Sequence, residues 1–152
     1  MTFADSDAQR LAERCAGAIW SNDSASRQLG MTVEQIGAGR ASLSLIVSDK
    51  LINFQGVCHG GYIFTLADAA FALACNSYNQ RAVAQFCTIA FMAPAYLNDT
   101  LTARASEVYR QGRSGIYDIT VRNQKGEQIA EFRGHSRTVG GVHVPEANDA
   151  QQ

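Results

Sequence analysis

Between Gly60 and Arg81 the chain carries a single charged residue, Asp68, set in the run Gly60-Gly-Tyr-Ile-Phe-Thr-Leu-Ala-Asp-Ala-Ala-Phe-Ala-Leu-Ala-Cys-Asn-Ser. A helix this apolar has no polar face to give to water, so it must lie at the heart of the fold with other elements packed around it. Residues on either side supply those elements. Met31–Ser48 alternates with period two about a Gly37-Ala38-Gly39 break, which predicts a hairpin of two strands. Four further strands are predicted at 82–92, 99–110, 115–123 and 127–139, separated by Pro94–Asn98, Gln111-Gly-Arg-Ser and Asn123-Gln-Lys-Gly. Leu11, Cys15, Ala18 and Ile19 recur at helical spacing within residues 6–20 and predict an amphipathic helix ending near Ser21-Asn22-Asp23.

The order helix, two strands, long helix, four strands keeps helices and strands apart in sequence. It argues for an α+β meander wrapped around one helix and against a doubly wound parallel sheet. At 152 residues and 46% hydrophobic content the chain fits one compact domain. Residues 1–27 read as an N-terminal helix and linker, 28–141 as the main domain and 142–152 as a flexible tail, Pro145–Gln152 having lost apolar periodicity.

A net charge of −1 without a basic block gives no electrostatic case for nucleic acid or an anionic membrane, and no apolar run approaches the roughly 20 residues that span a bilayer. Cys15, Cys58, Cys75 and Cys87 form no C-x-x-C pair, and the first residues lack the basic and apolar regions of a secretory signal, so the expectation is a cytoplasmic protein with reduced thiols. His135 and His143 do not fall at zinc-ligand spacing from any cysteine, and no metal site is expected.

A carboxylate on the most apolar helix is either paired structurally or turned toward a substrate cleft. The glycine-rich stretch Asn53-Phe-Gln-Gly-Val-Cys-His-Gly-Gly just upstream favours the cleft. If the helix starts at about Gly60, its first N–H groups lack intrahelical partners, and without side chains Gly60 and Gly61 let a carbonyl oxygen approach them as it does in acyl-transfer sites. Asp68 is then placed to attack the carbonyl or to activate a water. Yet eight residues of helix put Asp68 about 12 Å along the axis from Gly60, too far for both to touch one carbon. Either one of the two is idle, or each site draws Gly60 from one subunit and Asp68 from another across a two-fold axis, which implies at least a homodimer. Cys58, beside His59, has no supporting acid and is discounted as a nucleophile. Phe54, Phe64, Phe71 and Tyr78 are candidates for an acyl pocket or for the core.

The run Asn53-x-x-Gly56-x-x-His59-Gly60-Gly61, followed by Leu66-Ala-Asp68-x-Ala-Phe71-Ala and Ala74-Cys-Asn-Ser77, resembles the hotdog-fold acyl-CoA thioesterases. Within them it is closest to the phenylacetic acid degradation thioesterases. Matches continue through Cys87-Thr-Ile-x-Phe91-x-x-Pro94, Gly112-Arg-Ser-Gly-Ile-Tyr117-Asp118 and Phe132-Arg-Gly134, so the likeness covers about residues 28–141. It implies a hotdog fold, a curved antiparallel sheet of five to six strands around one long helix. It implies hydrolysis of acyl-CoA to free acid and coenzyme A, with (hydroxy)phenylacetyl-CoA or another aryl or acyl thioester as substrate and neither cofactor nor metal required.

By the same resemblance Asp68 is the nucleophile or general base and the Gly60 amide polarises the thioester carbonyl. Asn53 and His59 support the loop and position water or thioester, while Gly61, Arg113 and Ser114 contact substrate, the latter two at the nucleotide. Shared sites across a dimer and assembly into a homotetramer, a dimer of dimers, are implied as well. A hydroxyl residue that some relatives carry on the strand after the helix is missing from Ala84-Gln-Phe-Cys-Thr88, where Gln85 or Thr88 could stand in. Arg133, His135 and Arg137 share one face of the last strand and could meet phosphates. A hydratase or dehydratase on the same fold, or a non-catalytic acyl-CoA binding module, are the competing readings, and thiol release separates hydrolysis from both.

Overall fold

The computed structural model describes residues 3–146 of the chain. In chain order it contains α1 (Phe3–Asn22), α2 (Ser24–Gln28), β1 (Thr32–Gly37), β2 (Arg40–Ile46), a 3-10 turn at Asp49–Leu51, α3 (Gly60–Cys75), β3 (Ala82–Phe91), β4 (Thr100–Gln111), β5 (Ser114–Arg122) and β6 (Gln128–Thr138). The six strands form one antiparallel sheet in the order β1-β2-β4-β5-β6-β3.

The sheet is therefore not a simple meander. After α3 the chain crosses to the far edge, lays down β3 beside β6, and only then returns to fill the middle with β4, β5 and β6. Periodicity marks where strands are but carries no information about which strands pair, so this order had to come from the structure.

One face of the sheet curves over α3. Leu43 and Leu45 of β2, Leu101 and Ala103 of β4, Ile119 and Val121 of β5 and Phe132 of β6 are buried against Leu66, Ala67, Ala70, Phe71 and Ala74 of the helix. Ala67, Ala70 and Ala74 let the sheet come close to α3; Phe71, the bulkiest of the helix side chains packed there, needs a gap. That gap is Gly134, where a Cβ would lie 2.8 Å from the Phe71 ring. The ring packs between Tyr117 and Phe132, with centroids 5.7 and 6.0 Å away. Phe64 meets Phe132 edge-on at 5.1 Å, so Phe64 and Phe71 belong to the core, whereas Phe54 is 94% exposed on the loop.

The C-terminal end of α3 is held by its own polar residues. Asn76 Oδ1 accepts the Ala82 N–H at 2.9 Å and Asn76 Nδ2 donates to the Ala82 carbonyl at 3.2 Å, which starts β3 antiparallel to the helix. Residues 143–145, expected in a flexible tail, are instead tied down. Asn79 Oδ1 accepts the N–H groups of His143 and Val144 at 2.9 and 3.0 Å, the His143 ring meets Asn76 Oδ1 at 2.7 Å, and Arg14 donates to the Pro145 carbonyl at 3.0 Å. Residues 147–152 of that expected tail lie outside the described residues. α2, which no apolar periodicity marks, is a single turn capped by Asp23, whose carboxylate accepts the Ser26 N–H at 3.0 Å and the Ser26 hydroxyl at 2.7 Å.

Candidate active site

The loop before α3 is shaped by Asn53. Its Oδ1 accepts the Gln55 and Val57 N–H groups at 2.9 and 3.3 Å, while its backbone N–H donates to the Val57 carbonyl at 2.8 Å. His59 then caps the helix, its Nδ1 accepting the Gly61 N–H at 3.0 Å. With Nδ1 acting as acceptor, the proton of the neutral ring sits on Nε2, and the ring stands edge-on to Tyr62 at 6.1 Å.

This cap sorts the two glycine amides. The Gly61 N–H is engaged by His59, whereas the Gly60 N–H has no acceptor among the described residues. Gly60 opens onto a cleft of about 390 Å³ lined by Asn53, Ile63, Phe91, Met92 and Pro94. The Phe91 ring covers Gly60 closely enough that a Cβ there would lie 3.0 Å from Cζ. The cleft thus holds an unengaged donor at the positive end of a sixteen-residue helix, beneath an aromatic wall. Phe91 was legible only as part of a motif; nothing in its spacing says that it lies over Gly60.

Asp68 is on the same helix but not in that cleft. It belongs to the less buried stripe Gly61, Thr65, Asp68, Ala72, which turns away from the packed face. Among the described residues its carboxylate makes no hydrogen bond and no ion pair, so the structural pairing considered from sequence is not found there. Burial, and secondarily the nearby charge of Asp23, raise its pKa above the ordinary aspartate value of 3.8. Across from it on β3 lies Cys87, whose thiol is raised by burial and then by the Asp68 charge. Gln85 sits at a bulge between Ala84 and Phe86, and Thr88 is exposed.

Arg113 lies in the β4–β5 turn and Ser114 opens β5, both at the opposite end of the molecule from Gly60. The Arg113 carbonyl accepts the Thr138 N–H at 2.9 Å, and Thr138 pairs with Ala82 at the start of β3, whereas Gly60 meets Phe91 at its end. One chain therefore does not bring Gly60, Asp68 and Arg113 together. Arg133 is engaged by Asp118 through two hydrogen bonds of 2.6 and 2.7 Å, leaving it a poor candidate for phosphate. Cys58 is buried and its thiol is pushed up to about 11, far from the thiolate that attack requires. Among the described residues no group of three or more His, Cys, Asp or Glu side chains could hold a metal, and no helix is long and apolar enough to cross a membrane.

A curved antiparallel sheet wrapped around one long helix, with an unengaged amide where that helix begins, defines a hotdog-fold protein. The model of the thioesterase superfamily matches residues 55–130, and the chain belongs to that superfamily. It is 41% identical over 132 residues to the acyl-coenzyme A thioesterase PaaI of Escherichia coli, covering 87% of this chain and 94% of that protein. The structure of the E. coli PaaI protein from the phenylacetic acid degradation operon superposes with a TM-score of 0.87 at 40% identity, over 88% of this chain and 97% of that one. A Streptococcus mutans protein solved bound to acetyl CoA matches with a TM-score of 0.71 at 28% identity, over 74% of this chain and 90% of that one.

Proposed function

We propose that the protein hydrolyses acyl-CoA thioesters to a free acid and coenzyme A, with the Gly60 N–H receiving the carbonyl oxygen and Asp68 serving as nucleophile or general base. The observation that carries this reading is the Gly60 amide, which among the described residues has no acceptor, at the mouth of a cleft whose neighbouring amide is already capped. Water supplies the oxygen of the new carbon–oxygen bond and the proton that the departing coenzyme A thiolate takes up as the carbon–sulfur bond breaks. It does so either by attacking the thioester directly with Asp68 as base or by cleaving an acyl-Asp68 anhydride and regenerating the carboxylate.

The site is completed by a second copy. Strand β3 is an edge strand of ten residues with no charge, no proline and no glycine, and it exposes Val83, Phe86 and Phe91. Such an edge is a template for pairing, whereas the other edge, β1, carries Glu34 and is bonded from α1 by Gln9 Nε2 to the Ile36 carbonyl at 2.7 Å. Antiparallel pairing of two β3 strands sets the stripe bearing Asp68 on one copy toward the Gly60 end of the other. Asn53 and His59 hold the loop that presents Gly60, and Gly61 supports it through the cap. The resemblance extends this dimer to a homotetramer in the cytoplasm, and the phenylacetic acid operon of the E. coli relative points to phenylacetyl-CoA or a ring-hydroxylated form as substrate.

A thiol-release assay across aromatic and aliphatic CoA thioesters tests the reading. Release fastest with arylacetyl thioesters, and lowered by about 10²–10⁴-fold in Asp68→Ala, is the expected result. Tight binding of acyl-CoA without thiol release would overturn it in favour of a binding module.

A further inference from the structure

Beyond β6 the chain is laid back over the C-terminal end of α3. The Val139 N–H donates to the Arg81 carbonyl at 2.9 Å and the Arg81 N–H to the Gly141 carbonyl at 3.0 Å, which carries the β3–β6 pairing past Ala82 and Thr138. Gly140 and Gly141, at φ of 85° and 96°, then turn the chain onto Asn79. Asn79 holds the backbone as a neighbouring strand would: Oδ1 accepts the His143 and Val144 N–H groups at 2.9 and 3.0 Å, and Nδ2 donates to the Val144 carbonyl at 2.9 Å. Arg14 of α1 closes the far end on the Pro145 carbonyl at 3.0 Å.

His143 is the only ionisable side chain in residues 139–145. Asn76 fixes which of its ring nitrogens carries the proton. Asn76 Nδ2 donates to the Ala72 and Ala82 carbonyls at 2.9 and 3.2 Å and Oδ1 accepts the Ala82 N–H at 2.9 Å, so the His143 Nε2 that lies 2.7 Å from Oδ1 must be the donor. In the neutral ring Nδ1 is then bare, and among the described residues it makes no hydrogen bond. Protonation adds both a donor at Nδ1 and a positive charge. The groups facing the ring do not receive them. Arg81 of β3 is itself a cation, and Asp23, which lines the same cleft, already accepts the N–H and hydroxyl of Ser26. Arg14 is a further cation at the Pro145 end, and Glu146 beyond it is exposed. Burial, and then Arg81, accordingly lower the pKa of the ring from the ordinary value of 6.5.

We propose that residues 139–145 form a proton-released strap, held shut against α3 by neutral His143 and opened when that ring is protonated. An open strap gives the ring to water, where it takes its proton near 6.5, whereas the closed strap resists the proton to a lower pH. Closure is therefore at full strength above about 6.5 and weakens as pH falls from there through the lower value of the closed form. Opening breaks the bonds on both sides of Arg81 and takes one partner from Asn76, which frays β3 at Ala82. That end belongs to the edge strand along which two copies pair in the reading above, so acid reaches the assembly without touching Asp68 or Gly60. Only this consequence rests on that reading; the strap does not.

Amide hydrogen exchange on the full chain, followed at about pH 7.5 and pH 5 and corrected for intrinsic rates, tests the strap whether or not the protein hydrolyses thioesters. The Arg81, His143 and Val144 amides, all bonded in the closed strap, should lose protection several-fold in acid, while amides in the middle of β5 keep theirs. His143→Gln, whose side-chain amide can still donate to Asn76 but takes up no proton, should show the same protection at both pH values. Equal protection at both pH values in the wild type, or an equal acid loss in His143→Gln, overturns the proposal. Should His143→Gln leave the strap open throughout, Arg81→Gln decides. It keeps the backbone bonds and removes the facing cation, so its acid loss should be smaller than that of the wild type, and an undiminished loss overturns the strap. An NMR titration of the His143 ring gives a direct reading: a midpoint below 6.5 supports the strap, and one at or above 6.5 overturns it.

Discussion

The ring of Phe91 lies over the backbone of Gly60, with Cζ 3.0 Å from where a Cβ would be built. A substituent at Gly60 therefore enters the narrow space between the proposed oxyanion donor and its aromatic wall. Because the donor is a backbone N–H, Gly60→Ala keeps the group and alters only the approach to it. The expected outcome is a fall in kcat of about 10²-fold, the scale of losing one oxyanion donor, with the fold unchanged by circular dichroism. Adding Phe91→Leu to that variant should recover part of the loss, since the obstruction is the ring. Wild-type turnover in Gly60→Ala would mean that no reacting oxygen comes close to this amide.

The shape of the loop from Asn53 to Gly61 was readable from sequence because the bonds that set it are local. An asparagine that bonds to amides two and four residues on, and a histidine that bonds two residues on, act over distances that spacing alone conveys. Asp68 was readable for the opposite reason, as the one charge on an apolar helix. What stayed hidden depends on groups far apart in the chain. The seat of Phe91 over Gly60, the placement of β3 at the edge, the engagement of Arg133 by Asp118 and the hold of Asn79 on residues 143 and 144 all depend on chain crossings that no hydrophobic period records.

Asp68 links activity to stability with opposite signs. Burial first, and Asp23 second, raise its folded pKa, so the folded protein holds this proton more tightly than the unfolded chain does. Protonated, the group carries no penalty; as pH rises from about 3.8 through the raised folded value, ionisation progressively lowers stability. Asp68→Asn removes that loss. Its melting temperature should exceed wild type by a few degrees at pH 7 and converge with it in acid, while kcat/KM falls by about 10²–10⁴-fold. In the wild type the acid limb of the pH–rate profile should lie above 3.8, and Asp23→Asn, which retains a capping oxygen for α2, should move that limb downward. A limb at or below 3.8, or one indifferent to Asp23, is incompatible with Asp68 as the titrating group.

If two β3 strands pair about a two-fold axis, residues near the middle of the strand face their own copies. Thr88 is exposed there and pairs with Arg133 on its other side, so Thr88→Lys would bring like charges together without touching the core. Light scattering should show a monomer where the wild type shows at least a dimer, and circular dichroism should show the same secondary structure. Thiol release should fall by about 10²-fold or more, because displacing a reacting group by even an ångström carries that cost and separation removes it altogether. A monomeric variant with full activity would show that a single chain completes its own site. Asp68 would then have to reach a carbonyl about 12 Å along the helix from the Gly60 amide, so one of the two could have no part in the reaction.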